Sequence, residues 1–187
     1  MQKVKIYRDL SYMEHDDTAK WFAIKTRQDF KAERILAEVC EDVFFPKESI
    51  KLNNGKSRIR AVIPHVIFIK TTREIAMALE ADGRNNVPLS IPMWIYRYPH
   101  DNDIQIIPER SINLLRLLTA EDTTKCRIYT VKDFKVQQRV RVIGGVYKGY
   151  EGFVKRIAKN KHVIVSIEGV CMVILPYIHP ELLVAID

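Results

Sequence analysis

Val140-Arg141-Val142-Ile143-Gly144-Gly145-Val146-Tyr147-Lys148-Gly149-Tyr150-Glu151-Gly152-Phe153-Val154 carries one alternating apolar stretch through spaced glycines into another. A loop reversing between two strands needs positive φ or close backbone approach at Gly145, Gly149 and Gly152, where a Cβ would clash. The string therefore reads as strand, glycine turn, strand. Around it the sequence predicts strands near residues 139–143, 150–157, 162–167, 171–175 and 182–186, the tight spacing of a small all-β barrel.

Upstream the pattern changes. Trp21-Phe22-Ala23-Ile24 reads as a strand, and after Asp29, read as an N-cap, Ala32, Ile35, Leu36, Val39 and Cys40 recur at helical spacing. Val43-Phe44-Phe45 is a second strand closed by Pro46. Asn53-Asn54-Gly55 predicts a hairpin whose arms carry Lys47, Lys51, Lys56, Arg58 and Arg60. Further strands are expected at Val66-Ile67-Phe68-Ile69 and around Met93-Trp94-Ile95-Tyr96, with helices from about Thr72 and after Pro108. The order β-α-β-β-α-β-α predicts an α+β fold, an antiparallel sheet with flanking helices gathered on one face. Residues 119–135 are polar without period and read as a linker. The chain thus divides into an N-terminal extension (1–17), an α+β domain (18–118), the linker, and an all-β domain (136–187).

Composition narrows the function. The 187 residues are 47% hydrophobic and 28% charged, enough apolar material for a core. No apolar run approaches the roughly 18 residues of a bilayer span, and no signal peptide is read at the start. Three scattered cysteines, Cys40, Cys126 and Cys171, fit neither a disulfide framework nor a Cys-x-x-Cys site, so a reducing cytoplasm is expected. The formal charge is +7, and residues 132–187 hold nine basic against five acidic residues, a net +4 of that total. Polyanionic partners are favoured.

Catalytic and metal chemistry find little footing. His15, His65, His100, His162 and His179 form no His-x-x-x-His pair and no zincin spacing. Asp101-Asn102-Asp103 lacks the glycine and distal glutamate of a calcium loop and reads as a turn. Gly144-Gly145 precedes a strand, not the helix of a dinucleotide site. A non-enzyme without cofactor or metal is expected.

The glycine string resembles the KOW motif of SH3-like barrels in NusG-family transcription elongation factors and some ribosomal proteins. Ahead of it, Trp21-Phe22-Ala23-Ile24, the amphipathic helix, Val43-Phe44-Phe45-Pro46, the basic hairpin, Ile63-Pro64-His65-Val66-Ile67-Phe68-Ile69 and Ile107-Pro108 resemble, in order and spacing, the NusG N-terminal domain. The resemblance spans residues 18–187. It implies a monomeric factor bound to the clamp of RNA polymerase, suppressing pausing or termination, with upstream or non-template DNA and nascent RNA as further partners.

On this resemblance the polymerase-binding residues are Ile63, Pro64, Val66 and Phe68, with Ile112 and Leu115 from the supporting helix. Their alternative is ordinary core. Lys25, Arg27 and Lys31, with Arg73 nearby, are the cations expected to face DNA, and the hairpin cations from Lys47 to Arg60 are similar candidates. Gly145, Lys148, Gly149 and Gly152 carry the KOW motif, and Lys148, Lys155, Arg156, Lys159 and Lys161 a basic cluster. Two departures stand out. The family's Pro-Gly-Tyr is here Pro64-His65-Val66, and Ile167-Glu168-Gly169-Val170 has an acid where the family offers an aromatic, which argues against a Rho or ribosomal-protein partner. Together with the extension, these resemble a specialised paralogue of the UpxY type found in capsular polysaccharide operons. The alternative is a KOW-containing RNA-binding or ribosome-associated protein.

Overall fold

The computed structural model describes residues 18–88, 90–120, 127–129, 138–157, 160–167 and 169–186. The extension 1–17, most of the linker, Cys126, Lys159 and Glu168 lie outside them, as do the side chains of Arg156 and Lys161. The chain divides into two units at Leu115 and Arg116.

The first unit runs β1 (Lys20–Thr26), α1 (Asp29–Leu36), β2 (Asp42–Phe44), β3 (Lys47–Lys51), β4 (Ser57–Ala61), β5 (Val66–Thr71), α2 (Arg73–Arg84), β6 (Met93–Ile95), β7 (Ile106–Ile107) and α3 (Glu109–Ala120), which continues past the division. Its main sheet is antiparallel in the order β2-β5-β1-β6, with β7 also on β1. Register sets two faces. Phe22, Ile24, Ile67 and Ile69 point one way and pack with Ala32 and Leu36 of α1 and Ile75, Ala76 and Leu79 of α2.

Trp21, Ala23, Val66 and Phe68 point the other way and are also buried. On this second face Phe68 stacks on Phe44 with ring centroids 6.0 Å apart. Trp21 Nε1–H donates to Glu109 Oε2 of α3 at 2.9 Å. None of the buried α3 residues Ile112, Leu114 and Leu115 belongs to the cluster under α1 and α2. Helices therefore flank both faces instead of one, which is why Val66-Ile67-Phe68-Ile69 is a continuous apolar run and not an alternating one.

Local chemistry sets the element ends. Thr72 caps α2, its Oγ1 accepting from Ile75 N–H at 3.4 Å. Asp29, expected as the cap of α1, is instead its first residue, and Gln28 at the cap makes no side-chain bond. Gly83 is indispensable to α2, because a Cβ there would stand 2.3 Å from the Ile91 carbonyl oxygen. Glu80, buried on α2, accepts from Ile95 N–H at 2.9 Å and pairs with Arg97, fixing β6 to the helix.

Past the last turns of α3 and apart from a 3-10 turn (Pro180–Leu182), the second unit is the expected all-β one. β8 (Arg127–Tyr129), β9 (Gln138–Val142), β10 (Glu151–Ile157), β11 (Asn160–Ile167), β12 (Cys171–Ile174) and β13 (Leu183–Ala185) form an antiparallel sheet in the order β13-β9-β10-β11-β12-β8. β8 falls inside the stretch read as linker and pairs with β12. Its three residues are too few for a period to show. Ile164, Met172 and Ile174 form a core cluster, and β12 is buried at every residue.

Candidate partner-binding and nucleic-acid surface

The glycine string meets its backbone needs in two ways, and the Cβ clash expected at all three glycines occurs only at Gly152. Gly149 N–H donates to Val142 O at 2.7 Å and Lys148 N–H to Gly145 O at 3.1 Å, closing the β9–β10 turn. Gly145 (φ 74°) and Gly149 (φ 87°) take left-handed backbone, with open space where a Cβ would sit. Gly152 serves differently: a Cβ there would lie 2.3 Å from Ile164 O on β11. Lys148 is exposed at the turn and makes no ion pair among the described residues.

In the first unit the predicted contact set divides sharply. Ile63, Val66, Phe68, Ile112 and Leu115 are buried, Phe68 at 0% exposure, and of the six only Pro64 reaches the surface. The five are buried in this structure, Val66 and Phe68 within β5, which is covered on both faces. The accessible surface beside Pro64 is a different one. Lys25 stands opposite Val66 on one side and Trp94 on the other, so Trp94, Lys25 and Val66 form one row across β6, β1 and β5. Lys25 is exposed and Trp94 is 51% exposed. Sequence reasoning missed Trp94, because Met93-Trp94-Ile95-Tyr96 is apolar throughout and no polar alternation marks which way its side chains face.

His65 shapes the edge of this surface. It sits at φ 65°, a region costing a non-glycine residue roughly 1–2 kcal/mol. Its N–H donates to Asp29 Oδ2 at 3.1 Å, its Nδ1 lies 3.2 Å from Asp29 Oδ1, and its carbonyl accepts from Thr26 N–H at 3.0 Å. Asp29 thereby holds the conformation that glycine would take freely in the resembled Pro-Gly-Tyr pattern.

Of the cations expected to face DNA, Lys25, Arg27 and Lys31 are exposed without an ion pair among the described residues. Arg73 is not: its guanidinium pairs with Asp103, one bond measuring 3.2 Å. That bond raises the Arg73 pKa and holds the Asp103 carboxyl below its usual range. Arg73 thus ties α2 to the turn of residues 101–103, where Asp103 N–H donates to Asp101 Oδ1 at 2.9 Å and Asn102 takes φ 59°. The partner lies 30 residues away, which no local pattern announces.

No group of three His, Cys, Asp or Glu among the described residues could hold a metal ion, and none of the described helices is long and apolar enough to cross a membrane. Burial pushes the Cys40 and Cys171 thiols up to about 12.

No family model and no curated protein matches the chain. Among solved structures it is similar to a NusG from Thermotoga maritima, solved in a study of domain interaction, at 19% identity over 90% of this chain and 98% of that one, with a TM-score of 0.43. It is also similar to a chain of the MjSpt4:Spt5 complex in conformation B, at 15% identity over 89% and 97%, with a TM-score of 0.31. At these scores neither likeness carries a functional argument.

Proposed function

We propose that this chain is a non-enzymatic transcription elongation or antitermination factor that binds RNA polymerase. It carries its polymerase contact on residues 18–118 and a KOW barrel on 136–187, and works in the cytoplasm as a monomer. The observation that carries the reading is the KOW string, whose three glycines each have a backbone reason, in a β unit preceded by an α+β unit.

Pro64, Lys25 and Trp94 form the polymerase-facing surface. A half-exposed tryptophan beside a cation has the composition of an interface hot spot, and the buried residues behind it keep the sheet end rigid. Arg27, just past β1, and Lys31, in the first turn of α1, face the upstream or non-template DNA. His65 in place of glycine supports a specialised, operon-restricted paralogue of the capsular polysaccharide type.

Purified protein added to a single-round transcription reaction should shorten pauses or carry polymerase through a terminator. Unchanged pausing and termination at saturating protein would dismiss the reading. The ribosome-associated alternative draws on the exposed Lys148. It predicts RNA binding that weakens steeply with salt in the absence of polymerase.

A further inference from the structure

β6 is the last strand in the order of the main sheet and pairs with β1, and its three residues Met93, Trp94 and Ile95 are all apolar. Such a strand has no polar alternation to fix its register, and a slip of one residue turns every side chain to the opposite face. Hydrophobic burial does not by itself choose against the slipped strand, which would take the large indole inside. The protein nevertheless buries Met93 and Ile95 and leaves Trp94 half exposed. Another contact must select that arrangement.

Glu80 on α2 is the one charged residue that is buried among the described residues, at 5% exposure. A carboxylate is costly to bury unless donors surround it. Tyr96 N–H donates to Ala23 O of β1 at 2.9 Å, so the preceding amide, Ile95 N–H, points away from β1. Glu80 Oε1 accepts that amide at 2.9 Å, while Oε2 pairs with Arg97 and lies 3.7 Å from Arg84. The carboxylate thus holds the chain at positions 95 and 97 and covers the open edge of the strand. Upstream, Thr26 Oγ1–H donates to Pro92 O at 3.0 Å, and Gly83 lets α2 lie against the Ile91 carbonyl. Those two contacts end at Pro92. A bulge beyond it could still rotate Trp94 inward, and Glu80 grips the stretch where that bulge would form.

We infer that Glu80 is a positioning residue: by binding Ile95 N–H and Arg97 from α2, it sets the register of β6 and presents the Trp94 indole outward on the row with Lys25. A methionine of similar volume would pack in its place but leave Ile95 N–H and Arg97 without their acceptor. The carboxylate therefore serves placement, not burial. The inference deepens the reading of Trp94 as a polymerase contact and rests on it for its functional consequence. The register itself needs no partner, so the two are tested apart.

The test uses the full chain labelled with fluorotryptophan, whose two tryptophans give two fluorine resonances, the buried Trp21 serving as internal reference. Glu80→Met should shift or split the Trp94 resonance and shield the indole from acrylamide. Glu80→Gln keeps an acceptor for Ile95 N–H and should leave that resonance single and in place. A merely structural role would lower the melting temperature of the Met chain and leave its Trp94 resonance unmoved, and that result overturns the inference. Where the Met chain fails to fold, the parent decides: its Ile95 amide hydrogen should exchange as slowly as those of β5, and exchange at the rate of an open amide overturns the inference. On core polymerase the Met chain should bind about tenfold more weakly than the parent, and the Gln chain within about threefold of it. Equal affinity despite a shifted resonance would overturn the presenting role. A parent that fails to bind polymerase dismisses the proposed function alone, and the fluorine spectra still decide the register.

Discussion

Replacing Phe68 by alanine separates core from interface at the centre of β5. The ring is wholly buried, stacked on Phe44 with centroids 6.0 Å apart, and held in a strand hydrogen-bonded on both sides by β1 and β2. A pleated sheet cannot collapse into the space. Losing about 150–200 Å² of buried aromatic surface at about 25 cal/mol per Å² gives roughly 4–5 kcal/mol, within the range of about 3–5 kcal/mol for buried Phe→Ala changes. In a unit of this size that lowers the melting temperature by well over 10 °C, at about 4–8 °C per kcal/mol.

Both tryptophans of the chain, Trp21 and Trp94, lie in the first unit. Urea unfolding followed by tryptophan fluorescence therefore reads that unit alone. A Phe68→Ala loss below about 1 kcal/mol would refute the burial argument and return Phe68 to the contact surface. Pro64→Ala, by contrast, should leave stability within about 0.5 kcal/mol.

Three further outcomes follow from single contacts. Gly152→Ala should destabilise the second unit by about 2 kcal/mol or more, since its Cβ meets backbone that cannot step aside, and circular dichroism melting would detect it. The depressed Asp103 pKa means that the Arg73 pair contributes stability above the unfolded carboxyl value of 3.8 and loses it as pH falls through the lower folded value. An Asp103→Asn chain should accordingly show a flatter acid limb below about pH 4 in urea titrations. Cys40 and Cys171, pushed up to about 12 by burial, should resist iodoacetamide at about pH 8 in the native protein and react after unfolding, read by peptide mass spectrometry.

How much was legible depended on whether the physics was local. The β9–β10 turn was readable because Gly145, Gly149 and Gly152 record backbone needs directly in residue type. Most of the α+β order was readable from periodicity, but β7 was missed, since its two residues are too few to show a period. The unbroken run Val66-Ile67-Phe68-Ile69 already carried the signature of a strand covered on both faces, and aligning it with a binding strand put partner contacts where there is core. Arg73 looked like a free cation because ion pairs between distant segments leave no trace in local sequence. The left-handed turn at His65 was hidden for a related reason: the residue that stabilises it, Asp29, is 36 positions away and itself resembled a helix cap.

The central claim is that one end of the first unit's sheet grips RNA polymerase through Trp94, Lys25 and Pro64. It is tested most directly by titrating the full chain onto core polymerase and onto assembled elongation complexes, beside a Trp94→Ala chain whose melting temperature matches the parent. The account predicts saturable binding at micromolar concentration or below, weakened about thirtyfold or more by the substitution, as for the loss of a hot spot of about 2 kcal/mol. Equal affinity of the two chains, or no saturable binding by the parent, would contradict it.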